Sequence, residues 1–296
     1  MSNQYMKKVT LNAPAKINLT LDIIGKRYDG YHLVKMLMQT ITLFDKIEIT
    51  LQTHGNILIH SNSKKIPLGE TNIAFKVAKE FFNQTKTSNC GIDISIVKSI
   101  PISAGLAGGS TDAAAVIIGL NHLFNTNLQP KELCDIASNV GADVPFCLLG
   151  GTMIAEGIGT TLTPLPDMPE CFIVLTKPNI SVSTKKAYEL HDKHKTLENE
   201  NSESAIQYIC NNNLKKLSET LHNSFEKALN IEEVNIIKKT MLSLGALGTC
   251  MSGSGPTVFS LFDNKEKAQN CFNELHKSYP EAFLCKPSNR GCMIIE

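Results

Sequence analysis

Apolar positions in the first fifty residues fall in short runs rich in β-branched side chains and bounded by turn-forming residues. This pattern predicts strands over 7–11, 16–24, 33–43 and 46–52. Asp29-Gly30 supplies a turn between the second and third of them. Ile92, Ile94 and Ile96 alternate with polar residues, the period of a half-buried strand. Helical periods interleave. Ile73, Val77 and Phe81 share one face of a helix over 71–82, and an alanine-rich helix is expected over 110–124. A third helix is expected over 130–140, with Pro130 in its first turn, a stripe of Leu133, Ile136, Ala137 and Val140, and Gly141 as its stop.

The texture changes after Gly150-Gly151. Pro164, Pro166 and Pro169 mark a boundary that divides the chain into 1–163 and 164–296. Beyond it the pattern predicts a buried strand over 171–176 and an exposed polar segment over 185–201. Helices over 214–229 and 231–244, a strand over 257–262 and a helix carrying Ala268, Cys271, Phe272 and Leu275 follow. Strands near 282–285 and 292–295 close the chain. Strands and helices mixed in both halves indicate an α+β or α/β protein in two layers.

Composition narrows the function classes. Apolar residues make up 42% of the 296, enough for a real core. The 29 Lys and Arg against 28 Asp and Glu give a formal charge of +1, which argues against a nucleic-acid-coating protein and an acidic tail. No apolar run reaches the roughly 20 residues that span a bilayer, and the start is polar, so the expectation is a soluble, cytoplasmic protein without a membrane partner. The nine cysteines lack metal or redox spacing and are expected to be free thiols, most of them buried.

The sharpest motif is Pro101-Ile102-Ser103-Ala104-Gly105-Leu106-Ala107-Gly108-Gly109-Ser110-Thr111-Asp112, a loop of small residues between a strand and an alanine-rich helix. Glycines allow close backbone approach, and the first amides of a helix lack internal partners, so this loop can hold an anion. It is neither a Walker A loop nor a dinucleotide fingerprint. A loop that only permits tight packing is the competing reading, and the phosphate reading outweighs it. Other candidates read blandly one at a time. Lys16 fits an edge-strand lysine reaching water, Asp143 a cap or turn carboxylate, Tyr31-His32 hairpin packing, and Ser252-Gly253-Ser254-Gly255-Pro256 a turn. The remaining histidines show neither metal spacing nor an evident nucleophile partner.

Taken in order, Pro14-Ala15-Lys16-Ile17-Asn18-Leu19, Asp29-Gly30-Tyr31-His32, the glycine-rich loop, Gly141-Ala142-Asp143-Val144-Pro145 and Gly253-Ser254-Gly255-Pro256-Thr257 resemble the GHMP kinase superfamily. The first two segments resemble its branch acting on a cytidylyl-linked methylerythritol, and the likeness runs through nearly the whole chain. It implies an α+β, two-domain fold: a ribosomal S5 domain 2-like N-terminal domain, a ferredoxin-like C-terminal domain and a site between them. The extreme C-terminus is free to return to the first domain. It also implies transfer of the ATP γ-phosphate to the 2-hydroxyl of that small-molecule substrate, in non-mevalonate isoprenoid synthesis, by a monomer or homodimer.

By matching position, the resemblance makes Asp143 the catalytic base and Lys16 its partner. Residues 101–111 become the ATP loop, and Asn72, Lys98 and Ser99 line the nucleotide pocket. Tyr31, His32 and Tyr188 hold the cytosine, with Asn18 and Thr184 nearby. Mg²⁺ would be carried on the phosphates, with Ser110 or Thr111 as hydroxyl ligand. Family loops usually have Gly or Ala where Ser103 stands, and Gly where Ala107 stands; alanine would be strained there if the backbone needs positive φ. Two alternatives share the loop. One is a kinase for homoserine or a mevalonate-type alcohol. The other is a nucleotide-binding module without catalysis, which has no reason to hold both Lys16 and Asp143.

Overall fold

The computed structural model describes residues 7–53, 55–88, 90–194 and 202–295. Two long strands form the spine, β1 (Lys8–Lys26) and β2 (His32–Leu51), antiparallel and joined by the Asp29-Gly30 turn. The pattern divided each in two. In β1 the apparent break is Pro14, where the register shifts between Pro14 and Lys16; two further shifts follow before Gly25. A proline removes a ladder hydrogen bond, and the strand absorbs it as a bulge instead of ending. In β2 the polar Asp45 looked like a boundary, but the strand continues because its partners change along its length.

The chain continues through β3 (Ile57–Ser61), α1 (Ile73–Thr85), β4 (Ile92–Val97), α2 (Gly108–Leu123), α3 (Pro130–Ser138), α4 (Val144–Leu149), β5 (Thr152–Gly157) and β6 (Thr161–Pro164). Strand β2 pairs with β5 over its first half and with β4 over its last. Helix α2 packs under this sheet, its alanines letting it lie close. Gly119 faces Ile49, Leu11 and Val9, and a Cβ there would stand 2.6 Å from Ile49 Cδ1.

The second part opens with β7 (Phe172–Thr176) and α5 (Thr184–His194), followed by α6 (Ser202–Cys210), α7 (Leu214–Glu219), β8 (His222–Asn223) and α8 (Ser224–Leu229). Then come α9 (Glu232–Ser243), β9 (Gly248–Met251), β10 (Val258–Phe262), α10 (Lys265–Ser278), β11 (Ala282–Cys285), β12 (Pro287–Ser288) and β13 (Met293–Ile294). Four strands make an antiparallel sheet in the order β11-β7-β10-β9. Strand β12 pairs with β2 and β13 with β1, while β8 runs parallel to β1. The last residues thus lie on the first sheet.

Two expectations need correction. Residues 185–194, read as an exposed polar segment, lie in α5; Ala187 is fully buried and Tyr188 half-buried, so the helix has a packed face despite its polar composition. Residues 195–201 of that segment lie outside the described residues. The single helix expected over 214–229 is interrupted. The Asn223 side chain caps α8 at Phe225 N, and its Nδ2 donates to the Met251 and Gly253 carbonyls at 2.6 and 2.8 Å. Hydrogen bonds to a distant loop override the local helical period.

Candidate active site

A cavity of about 810 Å³ opens where β1, the glycine-rich loop, α4, α5 and the 252–256 loop meet. The loop forms one end. Ala107, the N-cap of α2, has φ 57°, and Ser103 has φ 53°, so both non-glycine residues sit in the left-handed region. No side chain caps α2, so the orphan amides of its first turn stand at the cavity wall beside Gly108, Gly109 and Ser110. That end attracts anions through amides and dipole together. Gly105 (φ 74°) is required on two counts: its backbone is left-handed, and a Cβ there would run into the Ser252 carbonyl. Ser252 Oγ donates to Gly105 O at 2.9 Å and accepts from Asn18 N at 3.2 Å. The Lys16 amide donates to Leu106 O at 3.2 Å. Strand β1 and the 252–256 loop therefore hold the glycine loop from two sides.

Behind the loop lies a charged cluster that the sequence reading missed. The Lys98 ammonium meets Asp45 Oδ2 and, at 2.7 Å, Asp112 Oδ2, with all three side chains buried. Asp45 Oδ1 accepts from the Ser99 and Ile100 amides at 2.6 and 2.8 Å, which fixes where the loop leaves β4. Burial works against the Lys98 charge, but Asp112 and Asp45 more than offset it and hold its affinity for a proton above the ordinary value. Burial, helped by the Asp45 charge and opposed by Lys98, pushes the Asp112 carboxyl well above the usual carboxylate range. The available signal was Asp112 itself, an acid inside a run of alanine and β-branched residues.

Lys16 reaches the cavity from a bulged stretch of an inner strand. It is 4% exposed, so the edge-strand reading fails: β2 pairs with this stretch on one side and the glycine-rich loop closes on the other, where Leu106 O accepts from the Lys16 amide. Its ammonium donates to Asn18 Oδ1 at 2.6 Å and stands 3.8 Å from Asp143 Oδ2. Asp143 occupies the N-cap position of α4, yet its side chain makes no capping hydrogen bond and is about one-third exposed. The carboxylate is left facing the lysine and the cavity, beside the loop.

The far end is lined by larger side chains, among them Leu21, Val34, Met36, Val182 and Phe225. Tyr31, Thr184 and Tyr188 reach it as well. Tyr188 stacks on His32 with ring centroids 4.3 Å apart, and meets Phe225 edge-on at 4.9 Å. Burial first, and then the Asp143 charge, pushes the Tyr188 hydroxyl up, so it stays protonated. Thr184 Oγ1 lies 3.0 Å from Ser254 Oγ.

Most of the expected residues therefore come together: Lys16, Asn18, Tyr31, Asn72, Lys98, residues 101–110, Asp143, Thr184 and Tyr188 all line this cavity. Three do not. Ser99 acts through its amide on Asp45. The Thr111 hydroxyl lies 3.4 Å from Cys292 Sγ in the core, so it is turned away from any metal on the phosphates. His32 lies behind the wall, covering one face of Tyr188. Asn72 lines the cavity, but its side chain caps α1 at Ala74 N (2.8 Å) and donates to Pro67 O (2.6 Å). Among the described residues no three His, Cys, Asp or Glu groups are arranged to hold a metal unaided. Ser110 on the wall and the unpartnered buried Asp112 Oδ1 are hard oxygen donors, which suits Mg²⁺ carried mainly by phosphates. No helix among the described residues is long and apolar enough to cross a membrane.

A cavity with a backbone anion cradle at one end, an apolar wall at the other and an acid–base pair between them is the architecture of a small-molecule kinase. Comparison bears this out: the GHMP kinases N terminal domain matches residues 72–151, and the GHMP kinases C terminal domain matches 205–281. A 4-diphosphocytidyl-2-C-methyl-D-erythritol kinase from Clostridium beijerinckii is 44% identical over 93% of this chain and 99% of its own length. The protein of that name from Clostridium acetobutylicum is 42% identical over 94% and 99%. A crystal structure of 4-(cytidine 5'-diphospho)-2C-methyl-D-erythritol kinase superposes with a TM-score of 0.80 at 28% identity, covering 94% of this chain and 99% of that one. A homoserine kinase from Cytophaga hutchinsonii shares the fold, with a TM-score of 0.80 at 21% identity over the full length of both chains. The chain thus belongs to the GHMP kinases, ATP-dependent enzymes of two-domain α+β fold, and within them to the 4-diphosphocytidyl-2-C-methyl-D-erythritol kinase family.

Proposed function

We propose that this enzyme transfers the γ-phosphate of ATP to the 2-hydroxyl of 4-diphosphocytidyl-2-C-methyl-D-erythritol, a step of non-mevalonate isoprenoid precursor synthesis. The observation that carries the reading is the Lys16–Asp143 pair, 3.8 Å apart, beside the glycine cradle in one cavity with the aromatic wall. The chain divides near residue 164 into a nucleotide-binding and a substrate-binding part.

In this reading the amides at the start of α2 and the loop backbone hold the triphosphate, and Lys98 anchors the loop from behind. The apolar end holds the cytosine, with Tyr31 and the free side of Tyr188 as faces. Base–aromatic stacking is worth about 1–3 kcal/mol per base in single-strand binding proteins. Asn18 and Thr184 line the stretch between. The acceptor is a tertiary alcohol and a weak nucleophile. Asp143 takes its proton as the oxygen attacks the γ-phosphorus, the new O–P bond forms and the bond to the β-phosphate oxygen breaks, releasing ADP. Lys16, 3.8 Å from Asp143 Oδ2, stabilises the alkoxide charge as it develops. Positioned general-base catalysis of this kind contributes about 10²–10⁴-fold. Ser110 would serve as a protein ligand for Mg²⁺, which would supply charge neutralisation on the phosphates when bound.

A coupled ADP-release assay with a panel of alcohols tests the reading. Turnover of the cytidylyl substrate, with homoserine and mevalonate at background, is expected. Turnover of homoserine alone would replace this substrate with that of another branch sharing the fold, and ATP binding without turnover of any alcohol would leave a non-catalytic module.

A further inference from the structure

Helix α5 forms one wall of the cavity with little apolar anchorage, since Ala187 is its one fully buried side chain among the described residues. Its cavity face repeats every four residues: Thr184 meets Ser254, Tyr188 stacks on His32, and Asp192 reaches the β1–β2 hairpin. Asp192 takes one partner on each oxygen. Oδ1 lies 2.6 Å from His32 Nε2 and Oδ2 lies 2.5 Å from Lys26 Nζ. Those partners are directly opposed in the hairpin register, Lys26 on β1 and His32 on β2. A carboxylate that accepts these bonds fixes the proton on Nε2 and with it the orientation of the ring stacked on Tyr188.

We propose that Asp192 is a positioning residue for the base end of the cavity. By clasping Lys26 and His32 it locks the hairpin that carries Tyr31 against the helix that carries Tyr188, and so sets the separation of the two aromatic walls. This deepens the cytidylyl reading and rests on it. The clasp touches neither phosphates nor the Lys16–Asp143 pair, so its loss falls on the acceptor and spares ATP and the chemical step. Bonds from Lys26 and His32 hold the Asp192 carboxyl below its usual range, which keeps it an acceptor throughout the working pH.

The test compares wild type, Asp192→Asn, Asp192→Glu and Lys26→Met. Calorimetry with cytidine 5'-diphosphate gives affinity for the base end; the ADP-release assay gives KM for each substrate and kcat. Asp192→Asn should weaken cytidine 5'-diphosphate and raise the acceptor KM about tenfold, with ATP KM and kcat within about twofold. Asp192→Glu should recover most of the loss. Lys26→Met, a surface change that keeps the fold, should show about a third of the effect and decides the matter if Asp192→Asn does not fold. Unchanged acceptor KM in the folded variants, with cytidine 5'-diphosphate bound normally by wild type, would overturn the clasp and leave the substrate reading standing. A proportionate loss in kcat and in both KM values would overturn it too, as a general structural effect. A wild type that neither binds cytidine 5'-diphosphate nor turns over the cytidylyl compound removes both readings together.

Discussion

The two ends of the cavity are built from different materials. The phosphate end is backbone: small residues in consecutive positions, amides at a helix start, and carbonyls of Gly105 and Leu106 gripped by Ser252 and Lys16. The base end is side chains brought from a hairpin, α5 and α8, which lie far apart along the chain. A backbone cradle needs particular residues at fixed spacing, because φ and Cβ clearance decide what fits. A side-chain wall needs only shape and an aromatic face, and it depends on whatever holds its elements together. The first is sensitive to a single added methyl group, and the second to loss of a clasp.

Substitutions at each end can break this contrast. The largest effect after removal of Asp143 should come from Gly105→Ala. The added Cβ meets the Ser252 carbonyl at a left-handed position, so the loop must move. ATP binding should fall by at least tenfold in calorimetry, with a stability loss of about 1–3 kcal/mol, while cytidine 5'-diphosphate binding stays within a few-fold. Equal loss at both ends would erase the distinction. At the other end, Tyr188→Ala should raise the acceptor KM by roughly 5–150-fold, the equivalent of about 1–3 kcal/mol of stacking, and leave ATP KM nearly unchanged.

Smaller changes sharpen the picture of the cradle. Ala107→Gly relieves a left-handed alanine and should stabilise the fold by about 1 kcal/mol, raising Tm by about 2–4 °C in a thermal melt. A lower Tm would mean that the αL conformation is not strained here. Asp112→Asn should be better tolerated than Asp45→Asn. Burial already favours the neutral form of Asp112, whereas Asp45 serves Lys98 and two loop amides at once. Removing one partner of a buried pair costs about 3–5 kcal/mol, and Asp45→Asn should approach that in denaturant unfolding. The sign follows from the raised Asp112 carboxyl: what it adds to stability is fully present below its unfolded value near 3.9 and is lost as pH rises toward its folded one. The stability gap between wild type and Asp112→Asn should therefore shift in the variant's favour from acid to neutral pH.

The same contrast explains what could be read beforehand. The cradle was legible because its chemistry is local: twelve consecutive residues carry the loop, the turn and the helix start. Strands β10 and β11 and helices α2 and α10 were legible for the same reason, their periods being unbroken. The burial of Lys16 was not, because it follows from the glycine-rich loop closing on the outer side of β1, where the Lys16 amide meets Leu106 O from far along the chain. Helix α5 read as a solvated stretch because its packed face is one alanine, a tyrosine and polar contacts. The break between α7 and α8 was invisible because Asn223 is drawn away by carbonyls of a loop about thirty residues downstream. Asp45 looked like the end of a strand for lack of any local sign that Lys98 would bury its charge there. The approach of Lys16 to Asp143 rested on family resemblance, since nothing in the spacing of positions 16 and 143 encodes it.

The proton acceptor is where the two ends meet, and Asp143→Asn probes it with the smallest change of shape. Single-turnover phosphoryl transfer in that variant, at saturating ATP and acceptor and with calorimetry confirming that both still bind, should be slower than wild type by at least about 10²-fold. A folded Asp143→Asn enzyme that binds both ligands and transfers phosphate at the wild-type rate would contradict the account.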